Sequence, residues 1–85
     1  MAMFSLNGDI LEVSLPQGCT MAEINAAAKQ EIDEIASSLY GKDIKINGRC
    51  TTALAILLGH ELAHITRSVS IFDPKENAYV LCIKH

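Results

Sequence analysis

Residues 44–65 read IKINGRCTTALAILLGHELAHI, and they decide the fold because they join a short strand to a helix through a tight turn. The alternating isoleucines predict a strand over residues 44–46, which the pair Asn47-Gly48 ends. Thr51 or Thr52 then supplies the hydroxyl that caps a helix running to the end of the stretch. A strand followed directly by a helix is the building unit of α/β proteins, so we predict that fold class.

The residues before this stretch predict a hairpin and a longer helix. Strands over residues 4–6 and 10–15 flank Asn7-Gly8, whose positive φ angles suit a tight primed turn. Thr20 and Glu23 form a capping box at the start of the first helix. Its buried face is marked by apolar residues at helical spacing, namely Ile24, Ala27, Ala28, Ile32, Ile35 and Leu39.

The residues after the stretch predict two further strands. Residues 68–71 alternate with period two, residues 73–77 form a turn, and residues 78–84 form the last strand. The order ββ-α-β-α-ββ predicts a single α/β domain over residues 1–85, with two helices packed on one sheet. Two such helices cover a four- or five-stranded sheet only in part, so we expect a second chain to cover some of the remainder.

Composition narrows the class of protein. The chain has 85 residues, 49% of them hydrophobic, which suits one folded domain and excludes a disordered segment. No apolar run approaches the ~18 residues of a membrane span and no signal-peptide pattern is found, so we expect a soluble cytoplasmic protein with no membrane partner. The net charge of −3 disfavours duplex DNA, which rewards a broad basic face, while a small anionic ligand fits.

The three cysteines do not predict disulfides. Cys19, Cys50 and Cys82 have no close spacing and their number is odd, which argues against a disulfide framework. Cys82 lies in an apolar strand-like run, so we expect it to be a small core residue.

Residues 60–64 read HELAH, a literal H-E-x-x-H pattern on the predicted second helix. Residues four apart share a helix face, so both imidazoles can reach one metal ion and Glu61 can serve as a base. On a helical wheel the histidines lie roughly 120–160° from the buried stripe of the helix. That stripe comprises Leu54, Leu58, Leu62 and Ile65. This placement favours a ligand or catalytic role over a core position, with ordinary surface histidines as the alternative.

Two further features can carry chemistry. The turn over residues 47–52 combines small residues, the free amide hydrogens of a helix start and Arg49, which together suit an anion. A plain turn with a threonine cap is the alternative. Asp73 ends a strand at the rim where α/β proteins place their sites, although Asp-Pro is also a common turn opener.

These features fall at opposite ends of the predicted domain. The second helix runs antiparallel to the strand before it, so Arg49 and Asp73 share one rim, whereas His64 and His85 share the other. A helix of about twelve residues separates the rims by roughly 20 Å. The two ends can therefore cooperate only if they come from different subunits stacked head to tail.

Residues 41–85 resemble the small CRISPR-associated ring nucleases of type III systems, the third ring-nuclease family, which is distantly related to the CARF sensor domains. The family pattern has an I-x-x-x-G-R segment, a helix with H-x-x-x-H, a D-P-R turn and a final strand that ends in His. The matching stretches are residues 44–49, 54–64, 73–75 and 79–85. The hairpin and the first helix fit the family's order of elements without a specific motif.

The resemblance implies a dimeric, CARF/Rossmann-like domain that binds cyclic tetra-adenylate, the second messenger of type III CRISPR immunity. Such proteins cleave the ligand with Mn²⁺ while it lies between two stacked dimers, which switches the signal off. By position, the resemblance assigns catalytic roles to His64 and Asp73, contributed from opposite faces. It assigns ligand binding to Gly48, Arg49, Thr51 and Lys75. It assigns metal binding to His60, His64 and His85.

The chain departs from the family pattern at three places. Lys75 replaces an Arg, Cys50-Thr51 replaces a frequent Gly-Pro, and Glu61 stands between the histidines. Cleavage needs no outside nucleophile, because each ribose 2′-hydroxyl can attack its neighbouring phosphodiester and leave a cyclic 2′,3′-phosphate. An imidazole suits the proton transfer, and Mn²⁺ or Arg suits the charge on the phosphorane.

Two other functions remain open on these residues. A non-catalytic module would sequester or sense a cyclic nucleotide or a short RNA, in dimers, tetramers or longer stacks. A minimal zinc metallopeptidase would hold Zn²⁺ with the H-E-x-x-H pattern and a third ligand. His85 is the candidate for that ligand, because Asp73 lies at the wrong rim.

Overall fold

A computed structural model describes residues 3–84, so the predicted metal ligand His85 lies outside the described residues. Within that range the elements follow one another as β1 (Phe4–Asn7), β2 (Ile10–Val13), α1 (Met21–Leu39), β3 (Asp43–Gly48), α2 (Thr52–Ala63), β4 (Ser68–Asp73) and β5 (Ala78–Lys84). Neither of these helices is long and apolar enough to cross a membrane.

The strands form one mixed sheet in the order β1-β2-β3-β4-β5. β2, β3 and β4 are parallel in its centre, and the outer strands β1 and β5 pair antiparallel with their neighbours. Each parallel step is made through a helix, because parallel neighbours need a crossover connection. α1 and α2 contact each other and pack into one common core. The chain is therefore a small α/β domain, as the strand–turn–helix pattern predicts.

The helices begin and pack where the sequence predicts. In the capping box of α1, Thr20 N–H donates to Glu23 Oε1 at 2.9 Å and Glu23 N–H donates to Thr20 Oγ1 at 3.2 Å. The backbone and hydroxyl of Thr20 also lower the pKa of the Glu23 carboxyl. On α2, Leu54, Leu58 and Leu62 are completely buried. Burying a leucine side chain stabilises a fold by ~1.5–3 kcal/mol, so this stripe determines which side of α2 faces solvent.

The first hairpin turns one residue later than the sequence predicts. Asn7 pairs with Ile10, so the two central residues of the turn are Gly8 and Asp9. Gly8 has φ +64°, while Asn7 keeps strand geometry. A glycine at the first central position is typical of a type II′ turn, which matches the strand twist without a second positive φ.

The second face of the sheet carries no helix among residues 3–84. Phe72 and Tyr79 lie side by side on it as a T-shaped pair, with ring centroids 5.4 Å apart. The Nζ atom of Lys45 lies 5.8 Å from the centroid of the Tyr79 ring. This face therefore presents aromatic and charged groups with no helix of residues 3–84 packed over them.

The prediction that Cys82 is a core residue is wrong, because its side chain is exposed. The physical reason is a bulge in the pairing of β4 with β5. Val69 pairs with Ile83 and Ser70 pairs with Leu81, which leaves Cys82 unpaired between them on an outer strand. The sequence run is apolar, but the register does not turn this residue toward the core.

Candidate functional site

A cavity of about 500 Å³ opens where β3 and β4 end, at what we call the carboxyl edge of the sheet. Ligands of α/β proteins bind outside the carboxyl ends of parallel strands. The lining consists of Leu15, Gly48, Arg49, Cys50, Thr51, Ile71, Phe72 and Pro74. The predicted residues Gly48, Arg49 and Thr51 thus come together, whereas Lys75 is exposed and outside this lining.

Gly48 is required by the backbone of the sheet. It has φ +106° and pairs with Val13 of β2. A Cβ at this position would collide with the carbonyl oxygen of Val13, so only glycine lets the two strands run this close. The Oδ1 atom of Asn47 accepts the Gly48 N–H at 2.9 Å and steadies the end of the strand. The chain therefore leaves β3 in a defined direction, toward the cavity.

Arg49 lies between this cavity and a second one of about 390 Å³ beside the end of β2. In the described part of the chain the only ion pair joins Arg67 to Asp43, so Arg49 has no carboxylate partner there. The Oγ1 atom of Thr51 caps α2 by accepting the Leu54 N–H at 3.2 Å. The amide hydrogens just after the cap lack intrahelical acceptors, and the helix dipole adds positive potential. This end of α2 therefore suits an anion such as phosphate.

Asp73 ends β4 at the same edge and is half-buried. Its Oδ1 atom accepts the Lys75 N–H at 2.9 Å, an arrangement that stabilises the Asp-Pro turn. Its neighbours Phe72 and Pro74 line the cavity, whereas Asp73 itself is not part of the lining. Asp73 is thus held by its own turn at the same edge of the sheet as the cavity.

Cys50 lines the cavity, although no role in a site is predicted for it from the sequence. Burial raises the pKa of its thiol above the ordinary value, so the sulfur is a neutral thiol at neutral pH. Its place in the Arg49 turn was the available signal. Nothing in the sequence marks Leu15 and Ile71 as cavity residues, because they reach the cavity only through the parallel pairing of β2 and β4 with β3.

The two histidines lie at the opposite edge of the sheet, which we call the amino edge. Gly41 N–H donates to the carbonyl of Ile65 at 2.8 Å, and this bond places the end of α2 beside the start of β3. His60 and His64 are both exposed, as the helical wheel predicts. Their Nε2 atoms are 3.4 Å apart, and their rings meet edge to face with centroids 4.8 Å apart.

The spacing of the two imidazoles fits one metal ion. Two nitrogen ligands at ~2.0–2.1 Å from a tetrahedral metal lie roughly 3.4 Å apart, which is the separation of the two Nε2 atoms. The end of α2 favours a cation through the helix dipole. Residues 3–84 contain no cluster of three or more His, Cys, Asp or Glu side chains that could hold a metal. The pair by itself thus offers two nitrogen donors, and a metal site there stays a prediction.

The two edges stay apart within one chain. α2 has 12 residues, so its ends are separated by about 18 Å at 1.5 Å per residue. Arg49 and Asp73 lie at one end of this helix, and His60 and His64 lie at the other. Within one chain the histidines therefore do not reach a ligand held in the carboxyl-edge cavity.

No protein-family model, curated protein or solved structure matches this chain. The family resemblance of residues 41–85 accordingly stays a prediction. The features of this protein that bear on its function are the two edges of the sheet and the residues that each edge brings together.

Proposed function

We propose that this protein is a cytoplasmic, metal-dependent ring nuclease that binds and cleaves cyclic tetra-adenylate, and so switches off type III CRISPR signalling. The observation that carries the proposal is the presence of two complementary half-sites at opposite ends of α2. The carboxyl edge suits phosphate, and the amino edge suits a metal ion and proton transfer. Cleavage of a phosphodiester needs both charge neutralisation and proton transfer, so each half-site lacks what the other supplies.

Head-to-tail stacking of two copies brings the half-sites together around one ligand. The carboxyl edge of one copy then faces the amino edge of the next, and a ring of four nucleotides lies between them. Side-by-side dimers fit the same arrangement if their symmetry axis runs along the strands, because both carboxyl edges then point the same way. The open sheet face with Phe72 and Tyr79 is the surface that we assign to this dimer.

The carboxyl edge would hold the phosphates of the ring. Arg49 offers a bidentate fork with no competing carboxylate among the described residues, and the start of α2 adds free amide hydrogens. The backbone of Gly48 directs the chain toward this anion site, and Thr51 fixes the start of α2 as its cap. Lys75 would act from outside the cavity as a point charge, since an ammonium group lacks the fork of the Arg found in the family.

The nucleophile is a 2′-hydroxyl of the ligand itself. Its oxygen forms a bond to the neighbouring phosphorus, the bond from that phosphorus to O5′ breaks, and a cyclic 2′,3′-phosphate remains. The hydroxyl proton passes to an imidazole, for which we assign His64, and O5′ takes up a proton as it leaves. Asp73 of the facing copy orients the hydroxyl. Where His60 and His64 instead hold Mn²⁺, the metal would supply charge neutralisation at the phosphorane, and the hydroxyl proton would pass to water, because a metal-bound nitrogen of His64 has no lone pair to accept it.

Incubation of the protein with cyclic tetra-adenylate and Mn²⁺ tests the proposal, with products resolved by chromatography and mass. We expect linear di-adenylate that ends in a 2′,3′-cyclic phosphate, and no product in a matched incubation with a chelator. A ligand that is bound tightly but stays intact with every divalent metal would identify a binding module instead. A ligand that is neither cleaved nor bound contradicts the proposal, and Zn²⁺-dependent cleavage of a peptide would replace it with a peptidase.

A further inference from the structure

The amino edge carries an exposed aromatic residue that the proposed chemistry does not use. Tyr40 is 74% exposed, more than any other large hydrophobic residue in the described range. It directly precedes Gly41, whose N–H donates to the carbonyl of Ile65, and Ile65 directly follows His64. One backbone hydrogen bond therefore ties the segment of Tyr40 to the segment of the histidine pair.

Tyr40 contributes little to the fold. Its ring belongs to neither of the two aromatic pairs found among residues 3–84, and so much exposure leaves little apolar surface buried. An aromatic side chain that buries its ring would stabilise the protein, but this one holds its ring in solvent. Its position at the end of α1 is set by the backbone, since Tyr40 N–H donates to the carbonyl of Ala36 at 3.0 Å.

A basic residue with no carboxylate partner among residues 3–84 follows Tyr40 closely in the chain. Lys42 follows Tyr40 by two residues and is exposed, and its carbonyl accepts the Arg67 N–H at 2.8 Å. Arg67 itself is paired with Asp43 at 3.8 Å, which is the only ion pair within the described part of the chain. Lys42 thus keeps its charge available at the edge that holds the histidines.

We infer that Tyr40 is a base-stacking residue of the amino edge, on which an adenine of the bound oligoadenylate lies, with Lys42 contacting the adjacent phosphate. The inference rests on the proposed function and names how the histidine half-site holds its ligand. Proteins recognise unpaired nucleotides by combining an aromatic platform with nearby cations, and this edge has both. A base inside a duplex offers no free face, so the same platform selects an unpaired ring of nucleotides over duplex nucleic acid.

Tyrosine fluorescence reports this contact without any need for cleavage. The chain has two tyrosines and no tryptophan, so Tyr79→Phe leaves Tyr40 as the sole tyrosine. Titration of this variant with cyclic tetra-adenylate in the presence of a chelator should quench its fluorescence in a saturable way, because a stacked adenine lies against the ring. In the reverse variant, Tyr40→Phe, the quenching that is assigned to Tyr40 should be lost at the same ligand concentrations.

Affinity gives the second readout. Tyr40→Ala should raise the Kd for cyclic tetra-adenylate about tenfold, which is the size expected for one lost base stack. The Kd of Tyr40→Phe should stay within about twofold of the parent value. Ile56→Ala is the matched control, because Ile56 is a comparably exposed apolar residue at 70% and lies on the outer side of α2. Unchanged thermal unfolding of all three variants separates a lost contact from a lost fold.

The outcomes separate this inference from the function on which it rests. The stacking role alone is overturned if the parent protein binds and cleaves the ligand but two results fail. In that case Tyr40→Ala binds the ligand as tightly as Ile56→Ala does, and the fluorescence of Tyr40 is not quenched. A parent protein that binds no cyclic tetra-adenylate overturns both. Quenching together with the tenfold loss supports the stacking role, and cleavage of the ligand by the same parent protein with Mn²⁺ supports the function.

Discussion

The carboxyl edge and the amino edge of this small sheet are built in different ways. The carboxyl edge is a concave site of about 500 Å³ whose shape comes from backbone, namely the strand ends and the turn after Gly48. The amino edge has a pair of exposed imidazoles whose 3.4 Å separation comes from helix periodicity alone. The difference teaches that a concave site needs the whole fold, whereas a pair of neighbouring imidazoles needs only five residues at the end of one helix.

The same helix gives the two edges opposite electrostatic character. The start of α2 presents amide hydrogens and positive potential beside Arg49, which favours anions. The end of α2 presents carbonyl groups and negative potential beside His60 and His64, which favours a cation. Under the proposed function, a phosphate would occupy one end and a metal ion the other, and a stack of copies would bring both to one ligand.

The largest expected effect is on stability at the carboxyl edge. Gly48→Ala should lower the free energy of unfolding by about 3 kcal/mol or more, because the new Cβ meets the Val13 carbonyl at a positive φ. Urea denaturation measures the loss. Gly8→Ala is the matched control, since Gly8 has φ +64° but open space around it, and should cost only about 1–2 kcal/mol. Equal losses in the two variants would contradict a collision at Gly48.

The amino edge should respond in the opposite way, with a large effect on metal binding and little on stability. His60→Ala should weaken Mn²⁺ or Zn²⁺ binding at least about tenfold, because one of two paired ligands is lost. Its unfolding free energy should change by no more than about 0.5 kcal/mol, since the imidazole is exposed. Calorimetric titration measures the affinity, and Glu61→Gln serves as control. Unchanged metal affinity in His60→Ala would show that the histidines do not form a metal site.

Ligand affinity should depend on the charge of one particular residue at the carboxyl edge. Arg49→Ala should raise the Kd for cyclic tetra-adenylate about tenfold, because a charge-assisted bidentate contact to phosphate is lost. Arg49→Lys should fall between this variant and the parent. Lys29→Ala removes the same charge from the exposed side of α1 and should change the Kd less than about twofold. An equal rise of the Kd in the two alanine variants would show that the ligand responds only to the net charge of the protein and not to a phosphate site at Arg49.

The smallest expected effect is on thiol reactivity. Burial raises the pKa of Cys50, so less thiolate forms at pH 8 and iodoacetamide should modify it several-fold more slowly than the exposed Cys82. Because the pKa of Cys50 is raised, its rate should continue to climb with pH beyond the range in which an ordinary thiol titrates. Peptide mass spectrometry follows both sites in one sample. Protection of Cys50 alone by added cyclic tetra-adenylate would place the ligand at the carboxyl edge, and protection of Cys82 alone would contradict that placement.

Local spacing made α2 predictable from sequence. Thr51 as its cap, the buried leucine stripe and the exposed histidines all follow from periodicity within one segment. The assignment of Asp73 to the end of a strand at the Arg49 rim also holds, because Asp-Pro ends the alternating run of β4. These features depend on neighbours close in sequence, for which pattern rules are reliable.

Features that depend on distant partners could not be read in the same way. The bulge that exposes Cys82 arises from the register of β5 on β4, and a run of apolar letters does not encode that register. The cavity needs the parallel pairing of Val13 with Gly48, which joins residues on either side of α1. The glycine was visible as a turn residue, but the collision that makes it necessary was visible only in the fold.

Mixing two inactive variants tests the central claim, a site shared between opposite edges of two copies, most directly. His64→Ala and Asp73→Ala should each cleave cyclic tetra-adenylate at least about 100-fold more slowly than the parent protein. In a mixture, random head-to-tail stacking places an intact His64 against an intact Asp73 at about a quarter of the contacts, so about a quarter of the parent rate should return. A mixture as slow as either variant alone, in proteins that still bind the ligand, would contradict the shared site.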